Sequence, residues 1–266
     1  MLENVFTLSP VLLALMAGII TWLFTLLGAG LVVFFKNINK KVMDLMLALA
    51  AGLMLAASFW SLLNPGIEMA KSQNQIAPLI ASLGFLSGAL LIVLSDKIVN
   101  KIIKKKTESE NGKFKRSLLL IFSITIHNIP EGLAVGLAFG SLSFTRTSSA
   151  LISAFVFALG IAVQNFPEGA AISLPLRREG YSRKKAFFYG QLSGIVEPIA
   201  AVIGAVLVMK IKVVLPFFLC FAAGAMVYVV TKEIIPESQE NNYKTKAALF
   251  TMIGFTIMMV LDVALG

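Results

Sequence analysis

A single cysteine, Cys220, and a single histidine, His127, stand in a chain of 266 residues of which only 14% are charged. One cysteine excludes an intrachain disulfide, a thiolate metal cluster and a CxxC redox pair. The scarcity of charge beside 58% hydrophobic residues excludes an ordinary water-soluble globular chain. Acidic residues are fewer than basic ones, 14 against 23, which leaves a formal charge of +9. A surplus of this kind can serve nucleic acid, but so apolar a chain has another use for lysine, that of fixing loops on one side of a bilayer. No HExxH is present, and Ser87-Gly88 and Ser193-Gly194 each lack a glycine two residues before the serine. These absences weigh against an intramembrane zinc protease or serine hydrolase. The N-terminus, Met1, Leu2, Glu3, also lacks the basic region of a secretory signal, and the apolar run after it is too long for a signal core, so a retained first helix is expected.

Apolar stretches long enough to cross a hydrocarbon core of ~30 Å lie at residues 11–35, 45–64, 76–96, 117–140, 150–176, 186–209, 213–231 and 247–265. The predicted fold is therefore an all-α integral membrane protein with eight transmembrane helices in one transmembrane domain, residues 1–266. If the loops after the first, third, fifth and seventh helices face the cytoplasm, they hold 19 of the 23 basic residues, leaving Lys71, Arg146, Lys210 and Lys212 on the other side. The positive-inside rule then puts both termini on the extracellular or periplasmic side. Residues 97–116, with the lysine run 104–106, read as a flexible, basic cytoplasmic loop near anionic lipid. Tyr181 through Lys185 reads as a helix start with basic anchors.

Against this apolar background the carboxylates of Glu131, Glu168 and Glu197 fall inside expected spans, where each costs roughly 2.5–3.5 kcal/mol even on lenient insertion scales. Two belong to copies of one hexapeptide, His127-Asn128-Ile129-Pro130-Glu131-Gly132 and Gln164-Asn165-Phe166-Pro167-Glu168-Gly169, set 37 residues apart and identical at four of six positions. Spacings of three and four residues share a helix face, so His127, Asn128 and Glu131 converge, as do Gln164, Asn165 and Glu168. Each proline removes a backbone donor and frees a carbonyl one turn back, at Ile126 and Val163, and each following glycine permits close helix packing. Glu197, followed by Pro198, repeats the acid-proline pairing in a third helix. Carboxylates, amides and an imidazole at one depth suit a divalent cation better than protonation alone, which would leave the duplicated amides unexplained. Interhelical hydrogen bonding by the amides, and a proton-coupled carrier of a small organic solute, are the competing readings. Asp96 and Asp262 read as interfacial, and Glu233 and Glu237 as surface acids.

On these residues the chain resembles the ZIP (Zrt/Irt-like protein) family of divalent-metal transporters, in its bacterial-type branch, along essentially its whole length. The resemblance implies an inverted-repeat bundle of three, two and three helices and a binuclear site in the middle of the membrane. His127, Glu131, Gln164 and Glu168 would hold one metal. Asn128, Asn165 and Glu197 would hold the second, with Glu131 and Glu168 bridging. A faint internal echo accompanies it: Ala51, Gly52, Met54 and Pro65 resemble Ala223, Gly224, Met226 and Pro236, with a one-residue slip. The function implied is inward transport of divalent transition-metal ions by alternating access, with no enzymatic activity and no cofactor. Zinc is the first substrate, and iron, manganese, cobalt or cadmium are open. Many relatives have histidine where this chain has Gln164, and a histidine-rich loop where it has lysines, so the site is more oxygen-rich. The expected partners are divalent metal ions and the lipid bilayer of the inner or plasma membrane, with a homodimer as the open oligomeric option and no nucleic acid.

Overall fold

The computed structural model describes residues 8–35, 39–106, 112–210 and 212–265; within the helices, the side chains at 99, 100, 102–106, 112–120, 123, 124, 127, 178, 210 and 265 lie outside the description. Eight helical rods follow one another among the described residues. They are α1 Pro10–Phe34, α2 Lys40–Ser72, α3 Ala77–Lys106, α4 Gly112–Ser141, α5 Ser148–Arg178, α6 Arg183–Met209, α7 Lys212–Ser238 and α8 Lys244–Leu265. Among the described residues, seven are long and apolar enough to cross a membrane. Large apolar side chains stay exposed on the outside of the bundle, for instance Leu249, Met252 and Val263 along α8. Such an exterior is stable only against lipid or another apolar surface.

Local chemistry sets where several rods begin. Ser9 accepts the Leu12 amide at 3.2 Å with Pro10 in the first turn of α1, and Asn39 accepts the Lys41 amide at 3.0 Å. Thr147 and Ser182 cap α5 and α6 in the same way, accepting from Ala150 and Lys185. The basic segment 97–116 departs from expectation, because α3 runs on through Lys106 and α4 starts at Gly112, so most of the expected flexible loop is helix. Helical hydrogen bonds are local and do not stop where the apolar run stops, and lysine is a good helix former that can reach toward water.

Two rods widen into π-helix, α2 at Ser58–Leu63 and α7 at Val230–Ile234. Each widening lies just before a proline, Pro65 and Pro236, that cannot donate to a carbonyl four residues back. The Asn64 amide instead bonds Phe59 and the Ile235 amide bonds Val230, each five residues back. The α2 segment has six residues and that of α7 has five, and this difference is where the one-residue slip between the two similar stretches arises.

The most extensive packing pairs are α4 with α6, α1 with α5, α1 with α6, α2 with α8, α2 with α7 and α3 with α7. The interior is rich in alanine, with Ala48, Ala51, Ala134, Ala162, Ala201 and Ala223 among the fully buried residues, so backbones approach closely. At the end where α3 and α7 finish and start their connections, Lys232 of α7 pairs with Asp96 of α3 and, at 3.3 Å, with Glu233.

Candidate metal site

α4 and α5 carry the twin hexapeptides at mid-helix and remain helical through Pro130 and Pro167. The glycine after each glutamate admits a neighbouring backbone. A Cβ on Gly132 would stand 2.5 Å from the Glu197 carbonyl oxygen, and one on Gly169 would collide with the Thr25 carbonyl. Side-chain-free contact thus draws α6 against α4 and α1 against α5 at the depth of the motif, which brings Glu197 and two threonines of α1 to the amides.

Glu197 is fully buried and is held from three helices. Its Oε2 accepts from Asn165 Nδ2 at 2.6 Å, and its Oε1 accepts from Asn128 Nδ2 at 3.2 Å and Thr25 Oγ1 at 3.4 Å. The Asn128 amide also donates to the Ser193 carbonyl, and the Asn165 amide to the Thr21 carbonyl. A second contact crosses between α4 and α5, where Gln164 Nε2 donates to Glu131 Oε1 at 2.8 Å. Glu168 lies one turn along α5 from Gln164, on the same helix face, and is buried.

Replacing Asn165 by leucine removes the 2.6 Å donor from a carboxylate that no water reaches. The expected cost is about 1–3 kcal/mol, measured as a lowered melting temperature of the purified protein in detergent. An unchanged melting temperature would mean that Asn165 does not hold Glu197.

The polar atoms that find no partner are more telling than those that do. Asn128 Oδ1, Glu131 Oε2, Gln164 Oε1, Asn165 Oδ1 and Glu168 Oε2 are all buried and accept no hydrogen bond. All five are acceptor oxygens, and all five come from the twin motif. A buried acceptor left bare costs free energy, and two of these belong to carboxyl groups. A cation placed among them would supply what a hydrogen-bond donor cannot.

Of the seven residues singled out from the sequence, Asn128, Asn165 and Glu197 form one network and Glu131 with Gln164 another, with Glu168 one turn along α5. The side chain of His127 lies outside the described residues. Among the described residues no three His, Cys, Asp or Glu side chains converge on one point. Thr21, Thr25 and Ser193 complete the polar cage and were not singled out from the sequence. Their only signal is a pair of threonines four residues apart in an otherwise apolar α1.

Cavities lie toward the two ends of the bundle. One, of about 380 Å³, is lined by Trp60, Ser61, Asn64, Ser153 and Asp262, with the Ser61 hydroxyl donating to Asp262 Oδ1 at 2.6 Å. The other, of about 430 Å³, lies between the start of α2, the end of α7 and the lower part of α5.

Comparison with known proteins decides the family. The model of the family described as ZIP zinc transporter matches residues 10–115 and 112–262. The chain belongs to the ZIP family. This ZIP protein is 40% identical to "Zinc transporter ZIP11" of Xenopus tropicalis, with 97% of this chain and 98% of that protein covered, in an alignment of 332 positions. It is 38% identical to "Zinc transporter ZIP11" of Homo sapiens, again over 97% of this chain and 98% of that protein. A bacterial relative, "Zinc transporter GufA" of Myxococcus xanthus, is 35% identical with 95% of this chain and 98% of the relative covered. The two matched segments overlap at residues 112–115, in the first turn of α4. As a ZIP protein with seven apolar helices of spanning length, it is a multi-pass integral membrane protein of a transporter family and not an enzyme.

Proposed function

We propose that this protein carries divalent transition-metal ions, zinc first, across the plasma membrane into the cytoplasm through a site built from the twin motif. The observation that carries this reading is the set of five buried, unpartnered oxygens from Asn128, Glu131, Gln164, Asn165 and Glu168. A set made only of acceptors suits a bare cation. Among those five atoms the carboxylate of an anionic organic solute would find no donor, which weighs against that class of substrate.

His127, Glu131, Gln164 and Glu168 are proposed to hold one ion, and Asn128, Asn165 and Glu197 a second, with Glu131 and Glu168 shared between them. Both asparagines now direct their NH2 groups at Glu197, so the second ion has to displace those donors from the carboxylate. The oxygen-rich set widens the range of acceptable metals to Fe²⁺, Mn²⁺, Co²⁺ and Cd²⁺.

The proposed topology has all eight rods crossing the bilayer, α4 included, with both termini outside, and the bias of basic residues to one side supports it. An inverted repeat of α1–α3 with α6–α8 around α4 and α5 is supported by the packing pairs. Exchanging α1 with α6, α2 with α7, α3 with α8 and α4 with α5 turns each of the most extensive pairs into another of them or, for α1 with α6 and α2 with α7, into itself. The register agrees too. Gly52 abuts the Thr251 carbonyl while Gly254 abuts that of Leu49, and Gly224 abuts the Phe85 carbonyl while Gly88 abuts that of Phe221. Alternating access then means movement of the site between the two end cavities.

Proteoliposomes holding the protein and a zinc-responsive dye are expected to take up Zn²⁺ saturably, with Cd²⁺, Fe²⁺ and Mn²⁺ competing. Uptake no greater than in empty liposomes would overturn the reading. Metal binds the deprotonated carboxylates and neutral imidazole, so protons compete with it. Zinc affinity of the purified protein is accordingly expected to fall as pH is lowered, which a titration at several pH values measures; an affinity that rises in acid would contradict carboxylate ligation.

A further inference from the structure

The cavity at the end where α2 begins and α7 finishes has a composition that the twin motif does not account for. Its walls include Asp44 and Lys40 of α2, Glu237 of α7, Glu240 and Asn241 after α7, and Ala171, Leu174 and Pro175 of α5. Asp44 is only 4% exposed. Its Oδ1 accepts from Asn241 Nδ2 at 3.0 Å, while its Oδ2 has no partner. Glu237 and Glu240 are exposed, so the cavity has a buried acid in its wall and two acids open to water, against the single cation of Lys40.

A buried carboxylate oxygen with no donor calls for positive charge. The acids do not converge tightly enough for three of them to chelate one bare ion. A volume of about 430 Å³ is instead large enough for an ion with its water shell. We propose that this cavity is a second divalent-cation site, which takes a hydrated ion at Asp44 with Glu237, Glu240 and Asn241 holding its waters.

The proposal rests on the reading of Glu131 and Glu168 as the transport site, because the cavity lies directly along α5 from there. Ala171 is three residues beyond Glu168 and Pro175 seven, so the wall starts about 5 Å and ends about 10 Å along the helix axis. An ion leaving Glu168 on this side therefore meets a negative, water-filled basin before it meets bulk solvent. Three carboxylates and an amide oxygen outnumber the Met43 thioether in the wall, a set weighted toward hard, strongly hydrated ions such as Mn²⁺.

The test is a Mn²⁺ titration followed by electron paramagnetic resonance, on the full chain in lipid nanodiscs. Two classes of bound Mn²⁺ are expected in the parent protein. Asp44→Asn preserves side-chain size and is expected to weaken one class about tenfold or more, in line with the dependence of affinity on ligand charge, and to leave the other unchanged. Retention of that other class shows that the variant is folded. Glu131→Gln with Glu168→Gln is expected to remove the class that Asp44→Asn spares. Unchanged binding in Asp44→Asn overturns the cavity site. So does joint loss of both classes in Asp44→Asn, since that makes Asp44 a structural residue. If the glutamine pair leaves both classes intact while Asp44→Asn removes one, the cavity site stands and the transport-site reading fails.

Discussion

Zinc uptake into proteoliposomes is expected to fall to the level of empty vesicles when Glu131 and Glu168 are both changed to glutamine. Each substitution keeps the shape of the side chain and an oxygen to accept the bond that Gln164 makes to residue 131. What disappears is the charge. Charge-assisted contacts are worth roughly 1.5–3 kcal/mol each, so losing two lowers metal affinity by at least about a hundredfold. The same change relieves the protein of two buried carboxyl groups whose Oε2 atoms have no donor. Stability should therefore hold or rise, since neutral amides cost less to bury than carboxylates. Loss of uptake with an unchanged or higher melting temperature is the expected signature, and it differs from that of a misfolded variant. Normal saturable uptake by the double variant would remove both glutamates from the transport path.

Two glycines of α1 should respond in opposite ways to the same substitution. Helix propensity alone favours alanine over glycine by about 1 kcal/mol at both Gly28 and Gly30. A methyl group on Gly30 meets nothing closer than Phe187 Cε2 at 4.0 Å, so Gly30→Ala is expected to be neutral or mildly stabilising. One on Gly28 would collide with the backbone carbonyl of Phe166, next to Pro167 and Glu168. Backbone cannot rotate away as a side chain can, so α1 and α5 must separate. Overpacking of this kind costs typically 1–3 kcal/mol. Gly28→Ala is therefore expected to lower the melting temperature and, by displacing Glu168, to reduce zinc uptake well below that of Gly30→Ala. Equal behaviour of the two variants in thermal unfolding and uptake would show that the α1–α5 contact does not position the site.

Much of this arrangement is legible in the amino-acid sequence, and the parts that are not have identifiable causes. Long apolar runs announce membrane helices because the bilayer forces each backbone to satisfy itself. Glu131, Glu168 and Glu197 stand out because a carboxylate in such a run needs a reason, and their six-residue setting appears twice. Thr21 and Thr25 were inconspicuous for the opposite reason. A threonine can satisfy its hydroxyl on its own helix, as Thr21 does with the Gly18 carbonyl at 2.9 Å, so even a pair of them four residues apart in an apolar span is a weak signal. Asp44 was hidden by its position near the start of α2 beside Lys40 and Lys41, where an acid ordinarily faces water; its burial depends on Asn241, which is 197 residues away. The basic segment after residue 96 misled because charge marks contact with water and says little about whether the backbone has stopped being a helix.

The π-helical turns before Pro65 and Pro236 bear on how the ancestry of such a chain can be recognised. An α-helix that gains or loses one residue rotates everything beyond by about 100°, which would carry a packed face out into lipid. A widened turn absorbs the change locally, so under the proposed inverted repeat Asn64–Ser72 and Ile235–Ser238 can keep corresponding places although the two stretches differ by one residue. Comparisons that forbid gaps inside helices will lose the correspondence at that turn and score the halves as unrelated beyond it. The proline after each turn marks where the gap should be opened.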